Sequence, residues 1–349
     1  MRSLPELTAP VDPVAALTRI AWLLERDRQS TYRVEAFRKA ARAAGEVGDD
    51  ELRRRASART LTDIRGVGKS TAAVIAEAVA GEVPGYLQQL QDTAPASLAE
   101  GGDDLYAALR GDLHAHTDWS DGGASLDEMA SAAAVLGQEW LAITDHSPRL
   151  TVANGLSEER LTRQLDEIAT LNDLLGDELR VLTGIEVDIL DDGTLDQTDV
   201  MLDRLDVVTA SVHSKLRMDS APMTRRMVAA VCDPRVNVLG HCTGRRVVRG
   251  RGARPPSQFD AREVFSACAE HGTAVEINSR PERVDPPDEL IELARDLGCL
   301  FAIDSDAHAP GQLDFKALGA HRAEEFGIEP ERIVTTWTVD RVIDWAAGT

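Results

Sequence analysis

The 349-residue sequence has no Cys-x-x-Cys pair, no low-complexity tract and no apolar run near the roughly 20 residues a membrane span needs. Its four cysteines, Cys232, Cys242, Cys268 and Cys299, lie far apart. They fit reduced, buried thiols better than a disulfide frame. Met1 to Val14 holds two acids and three prolines but no apolar h-region, so no secretion signal is expected. What remains is 43% hydrophobic and 28% charged residues, the balance of an ordered, soluble, cytoplasmic protein with no membrane partner. The length suits two domains, or one large barrel and an appendage.

Positive charge is also scarce, and unevenly so. The net charge is −21, yet residues 1–90 hold 14 basic against 12 acidic residues. The remainder holds 24 basic against 47 acidic residues. The acidity alone argues against a polyanionic partner. Its confinement to the second part leaves the first part free to bind one, and lets some of the carboxylates face cations.

Between Val14 and Glu46 apolar residues recur at helix-face spacing, as in Leu17, Ile20, Leu23 and Leu24. A second helix is expected through Tyr32–Ala44. Leu61–Ile64 then lead into Gly66-Val-Gly68-Lys69, a glycine turn opening directly into an alanine-rich helix. Residues 92–108 read as a linker. The divisions expected are a helical domain over 1–91, that linker, and a catalytic domain over 109–349.

Beyond the linker, short β-rich runs alternate with helical stretches. The runs are 111–113, 140–144, 180–184, 207–211, 236–239, 274–277 and 300–303. Such alternation predicts a parallel sheet. Seven strands in one unit predict an α/β barrel one repeat short of the full TIM-like fold, a distorted (β/α)7 barrel.

Each of these runs delivers a polar group at its C-terminal end, the face on which barrel active sites are built. In chain order they are His114-Ala-His116 with Asp121, Asp145-His146, Glu186, His213, His241, Asn278 after Glu276, and Asp306-Ala-His308. Six of the eight histidines fall here; His271 and His321 do not. One His at a strand end is usually satisfied by hydrogen bonds, and His-x-His alone is a weak signal. Coincidence on one barrel face is not, because clustered carboxylates and imidazoles need cations to balance them. Mixed imidazole and carboxylate ligands suit Zn²⁺, Mn²⁺ or Fe²⁺ and not Ca²⁺. Asp112 and Asp145, beside ligands, are candidates either for fixing imidazole tautomers or for capping turns.

The motifs His114-Ala-His116-Thr, Ser120-Asp121-Gly122, Thr144-Asp145-His146, Ser211-Val-His213, Gly240-His241 and Ser305-Asp306-Ala-His308 resemble the PHP (polymerase and histidinol phosphatase) family. They stand in family order from Gly111 to about Ala347. The resemblance implies three divalent ions on nine ligands. His114, His116, Glu186 and Asp306 would hold one ion, with Glu186 bridging to a second that His213 and His241 complete. Asp121, His146 and His308 would hold the third. It also implies hydrolysis of a phosphate ester by a hydroxide shared between two cations, with Glu186, His213 and Arg280 as the candidate catalytic residues.

Arginines beside the metal face would serve phosphate recognition, because the guanidinium fork matches phosphate oxygens. The candidates are Arg245, Arg246, Arg280 and Arg283, with Arg249, Arg251 and Arg254 in the same loop and Lys215 near His213. Each could equally be a solvated surface charge.

Ile64-Arg-Gly66-Val-Gly68-Lys69 resembles a helix-hairpin-helix element, whose free backbone N–H groups would grip a DNA phosphate through Gly66, Gly68 and Lys69. An ordinary tight turn has the same look. Residues 14–90 resemble the small N-terminal domain of the DNA polymerase beta family. Only some 20 residues separate its last helix from His114, so no polymerase palm fits between. The lysine of lyase chemistry would align near Val74, which has no amine. The expectation is a DNA-directed phosphoesterase, a 3′–5′ exonuclease or 3′-end trimming enzyme in DNA repair, acting on primed, nicked or gapped ends. The alternatives are a phosphatase of small esters, resembling histidinol-phosphate phosphatase, and a non-catalytic DNA-binding protein. Oligomeric state is not legible.

Overall fold

The computed structural model describes residues 4–248 and 252–348. The chain divides into two compact units, one running to Ala96 and including Pro310–Gln312, the other made of Ser97–Ala309 and the chain from Leu313 onward. Among the described residues no helix is long and apolar enough to cross a membrane.

The first unit is helical: α1 (Pro13–Arg26), α2 (Thr31–Val47), α3 (Asp49–Ala58), α4 (Lys69–Val79) and α5 (Gly85–Thr93). Helix α1 starts at a proline, with the Asp12 carboxylate accepting from Ala15 N–H at 2.8 Å. It buries Leu17, Ile20 and Leu24. Ion pairing joins α1 to α2, where Arg38 grips both oxygens of Glu25 at 2.7 and 2.9 Å, out of water. Between α3 and α4 the chain turns at Gly66, whose φ of +96° favours glycine. A side chain there would also meet the Lys39 carbonyl. Val74, facing the helical core, is buried.

The second unit begins with α6 (Asp103–Ala108) and α7 (Leu126–Val135). Strands and helices then alternate: β1 (Trp140–Ile143), α8 (Glu158–Leu175), β2 (Arg180–Asp188), α9 (Asp199–Leu202), β3 (Val207–Ser211), α10 (Ser220–Val231) and β4 (Val238–Leu239). They continue with α11 (Ala261–His271), β5 (Ala274–Asn278), α12 (Asp288–Asp296), β6 (Phe301–Asp304), α13 (Lys316–Glu325) and α14 (Val339–Ala346). The six strands form one parallel sheet in chain order, curled as a TIM-like barrel. Nearly every strand residue is buried, as expected for parallel strands covered on both faces.

Two expectations need correction. The run 111–113 is not a seventh strand. This segment does lie between β1 and β6: Ala142 N–H donates to Asp112 O at 2.9 Å, and His116 N–H to Ala307 O at 2.8 Å. Its ladder is broken because buried carboxylates take the amide hydrogens. Leu113 N–H goes to Asp304 Oδ1 at 2.8 Å, and His114 and Ser305 N–H both go to Asp112 Oδ1 at 3.2 Å. The linker over 92–108 is also shorter than expected, since Asp103–Ala108 is helical and packs Leu105 and Tyr106 into the barrel's core.

Candidate metal centre

Along the barrel interior, side chains change from apolar to polar in steps of two. Trp140 and Ala142 on β1, Leu182 on β2, Val207 on β3, Ala274 on β5 and Ala302 on β6 pack in one apolar cluster. Residues two apart share a face of a strand. Two and four positions onward, the same rows reach Glu186 from β2, Glu276 and Asn278 on β5, and Asp304 and Asp306 from β6; the β3 row reaches His213. Gly240, just past β4, lets neighbouring strands approach, for a Cβ there would lie 2.3 Å from Ser211 Oγ. His241 and Asp306 then adopt positive φ, +21° and +50°, which aims them off the regular strand direction.

Glu186 is the hub. Its Oε2 lies 3.3 Å from His114 Nε2, 3.6 Å from His116 Nε2 and 2.8 Å from His146 Nδ1. Its Oε1 lies 3.1 Å from His213 Nε2 and 2.9 Å from His241 Nε2. Asp306 Oδ1 is 3.5 Å from His116 Nε2, and Asp121 Oδ1 is 3.5 Å from His146 Nε2 and 3.3 Å from His308 Nε2. All nine expected ligands therefore meet. Their donor atoms gather in four overlapping sets: His116, Asp121, His146 and His308; His114, His116 and Glu186; His146, Glu186 and His213; His114, His241 and Asp306. His114, His116, His146 and Glu186 each belong to two sets, and His116 and His146 join the third group to the other two, which the resemblance links only to each other through Glu186.

The cluster fits cations. His114 Nε2, both nitrogens of His116 and of His213, and Glu186 Oε2 are buried, and none meets a neighbour in hydrogen-bonding geometry. An unsatisfied buried polar atom costs about 1–3 kcal/mol. Divalent transition ions would satisfy these donors together, and imidazole with carboxylate is their usual ligand mixture.

The electrostatics point the same way. Burial acts to raise the Glu186 carboxyl, but the imidazoles of His213, His114 and His146 outweigh it and hold it well below the usual range. Burial acts downward on His213, where Glu186 and Asp188 outweigh it and push the imidazole up to about 9. His116 is held down to about 3 by burial and then by its neighbours His308 and His146. One cluster thus drives imidazoles in opposite directions, the mark of carboxylates that call for positive charge.

Supporting groups fix the ligands. His114 Nδ1 is 2.6 Å from Glu276 Oε1, which leaves Nε2 for the centre. Glu276 also accepts from His241 N–H. His213 N–H donates to Asp188 Oδ1 at 3.1 Å. Asp306 Oδ2 accepts from Arg283 Nε at 2.9 Å and Asn278 Nδ2 at 3.0 Å, so only Oδ1 is left to face the imidazoles. Asp145 accepts from Thr117 N–H at 2.9 Å, from the Thr117 hydroxyl and Gln164 at 2.6 Å, and from the Ser120 hydroxyl. Neither Asp112 nor Asp145 orients an imidazole. Both hold the backbone that carries the ligands.

The basic candidates separate. Arg283 is half-buried beside Asp306, with its inner Nη1 unpartnered. Arg280 Nη1 lies 2.8 Å from His308 Nδ1, and its guanidinium also pairs with Glu282. Arg245 is committed to the Val284 carbonyl, 2.9 Å from its Nε. Arg246 is exposed, and Lys215 pairs with Asp191. Arg249 and Arg251 lie outside the described residues. In the helical unit Gly68 caps α4, and its N–H donates to Thr71 Oγ1 at 2.9 Å. Arg65, Gly66, Gly68 and Lys69 are all exposed around that turn.

The roles of Glu276, Asp188 and Thr71 escaped the sequence reading. A carboxylate two positions before Asn278, on the same inward row, was the available signal for Glu276.

Comparison with known proteins places these features. Residues 112–280 match the PHP domain, and residues 11–83 match a helix-hairpin-helix domain. The chain is 37% identical over 226 residues to the DNA polymerase/3'-5' exonuclease PolX of Bacillus subtilis, a match covering 65% of this chain and 39% of that protein. It thus spans well under half of that relative. A probable phosphatase of Vibrio parahaemolyticus is 27% identical over 241 residues, 65% of this chain and 89% of the relative. A crystal structure of histidinol phosphate phosphatase from Lactococcus lactis, complexed with zinc, L-histidinol and phosphate, superposes with a TM-score of 0.43 at 18% identity. It covers 62% of this chain and 92% of that one.

Proposed function

We propose, for a chain that carries a PHP domain at residues 112–280 and a helix-hairpin-helix domain at residues 11–83, that it hydrolyses phosphodiester bonds at the 3′ ends of DNA. The observation that carries this reading is the convergence of six imidazoles and three carboxylates on one barrel face, with His114 Nε2, both nitrogens of His116 and of His213, and Glu186 Oε2 buried there outside any hydrogen-bonding geometry. Divalent cations held there would lower the pKa of coordinated water toward ~7 and neutralise charge on phosphate oxygens.

The chain's own residues prepare the rest. Glu186 gathers five imidazoles around one carboxylate. Glu276 fixes which nitrogen His114 presents. Arg280 and Arg283 stand beside Asp306 with fixed positive charge, suited to the non-bridging oxygens of a phosphate. In the helical unit, the exposed turn at Gly66–Lys69 opens α4 and offers a helix N-terminus to a backbone phosphate. Binding of that kind ignores base identity and weakens with salt.

A second reading is a phosphatase of small esters. The surplus of acidic residues beyond residue 90 favours it, since it repels a polyanion. A 5′-end-labelled oligonucleotide and a small phosphate ester, each incubated with the Mn²⁺-loaded full chain, separate the two. Stepwise shortening from the 3′ end is expected, and His114→Ala abolishes it. Intact ends beside a hydrolysed small ester would overturn the DNA reading.

A further inference from the structure

The loops that follow β3 and β4 leave a cleft of about 960 Å³ between them. Its lining begins at Lys215, two residues beyond His213, and resumes at Arg246, five beyond His241. A volume of this order holds a ligand of nucleotide size.

The charge inside is inverted relative to the chain. Lys215, Arg217, Arg246 and Arg254 line the cleft against one carboxylate, Asp219, in a protein of net charge −21. Lys215 is neutralised by Asp191. Arg217 and Arg246 are exposed and have no carboxylate partner among the described residues. Burial, followed by the nearby cations Arg283 and Arg246, pushes the Arg254 guanidinium below its ordinary range. Cations assembled with so little counter-charge suit an anionic ligand.

The cleft is also built, not merely open. Arg246 N–H donates to Arg254 O at 2.9 Å and Arg254 N–H to Arg246 O at 3.0 Å, so the two arginines sit across an antiparallel bridge. Arg254 Nε is held by the Gly244 carbonyl at 2.5 Å. The Ser257 hydroxyl donates to Leu216 O at 2.9 Å, which ties one loop to the other. Met218 and Pro255 put apolar surface beside the guanidinium groups. An apolar wall beside arginines matches a nucleotide, with the base on the wall and phosphates on the guanidinium forks.

We propose that this cleft seats the nucleotides adjoining the scissile phosphate of a single-stranded DNA end, with Arg217 and Arg246 on their phosphates. The proposal rests on the DNA-directed reading of the metal centre.

The test compares an oligodeoxythymidylate with bis(p-nitrophenyl) phosphate, a diester small enough to engage the metal centre alone, using the Mn²⁺-loaded full chain. In Arg217→Gln, kcat/KM for the oligonucleotide falls about tenfold relative to kcat/KM for the small diester. The fall lies in KM, and Arg217→Lys recovers most of it. An equal fall on both substrates, or none on the oligonucleotide, overturns the proposal. A wild-type chain that hydrolyses the diester but leaves the oligonucleotide intact sinks the DNA-directed reading by itself. The cleft is then judged by fluorescence anisotropy with labelled oligodeoxythymidylate. Weaker binding by Arg217→Gln than by wild type upholds the cleft, and equal binding overturns it.

Discussion

His114 has two nitrogens, and its usefulness depends on which one carries the proton. Glu276 Oε1, 2.6 Å from Nδ1, makes Nδ1 the donor and turns the Nε2 lone pair toward Glu186 and its neighbours. Glu276→Gln preserves the shape but removes the charge that fixes this tautomer. The expected result is a metal affinity reduced about 10–100-fold, with activity restored at higher Mn²⁺. An unchanged Mn²⁺ activation curve would mean that Glu276 does not orient the ligand. The candidate ligands could be read from the sequence because all but Asp121 lie at or just beyond the end of a β-rich run, at a position a barrel turns inward. The partners could not, since the contact between His114 and Glu276 joins residues 162 positions apart, and no periodicity records it.

Helix α1 was legible from the spacing of Leu17, Ile20 and Leu24, and a second helix was expected through Tyr32–Ala44, but the pair that locks the two was not legible. Arg38 and Glu25 sit inside the helical unit, with side chains 4% and 2% exposed. Removing one member of a buried pair strands the other charge and typically costs about 3–5 kcal/mol. Amide hydrogen exchange in α1 and α2 of the full chain should therefore report a loss of that size in Arg38→Ala. A change under about 1 kcal/mol would show that the pair is not buried in solution. At the same scale the segment 111–113 shows why β-rich composition misled. Its residues suit a strand, but Asp112 and Asp304 divert the amide hydrogens that a ladder needs. The helix at Asp103–Ala108 was hidden for another reason: a Gly-Gly-Asp-Asp stretch has a linker's composition, and only the packing of Leu105 and Tyr106 reveals it.

On the scale of the whole molecule, the uneven charge acquires a physical sense. The acidic surplus lies beyond residue 90, in the part of the chain where the imidazoles and carboxylates converge. The near-neutral helical part presents its glycine turn, with Arg65 and Lys69 exposed beside it. Barrel architecture was readable because strand–helix alternation and a polar group at each strand end are chain-local signals. How the four ligand sets overlap was not, because His116 and His146 are shared only in three dimensions. The proposed hydrolysis depends on cations at that centre, and elemental analysis of the full chain purified without chelators tests it most directly. The expected content is about three divalent transition ions per chain, reduced in His114→Ala. Less than one equivalent of zinc, manganese and iron combined in the wild-type chain would contradict the account.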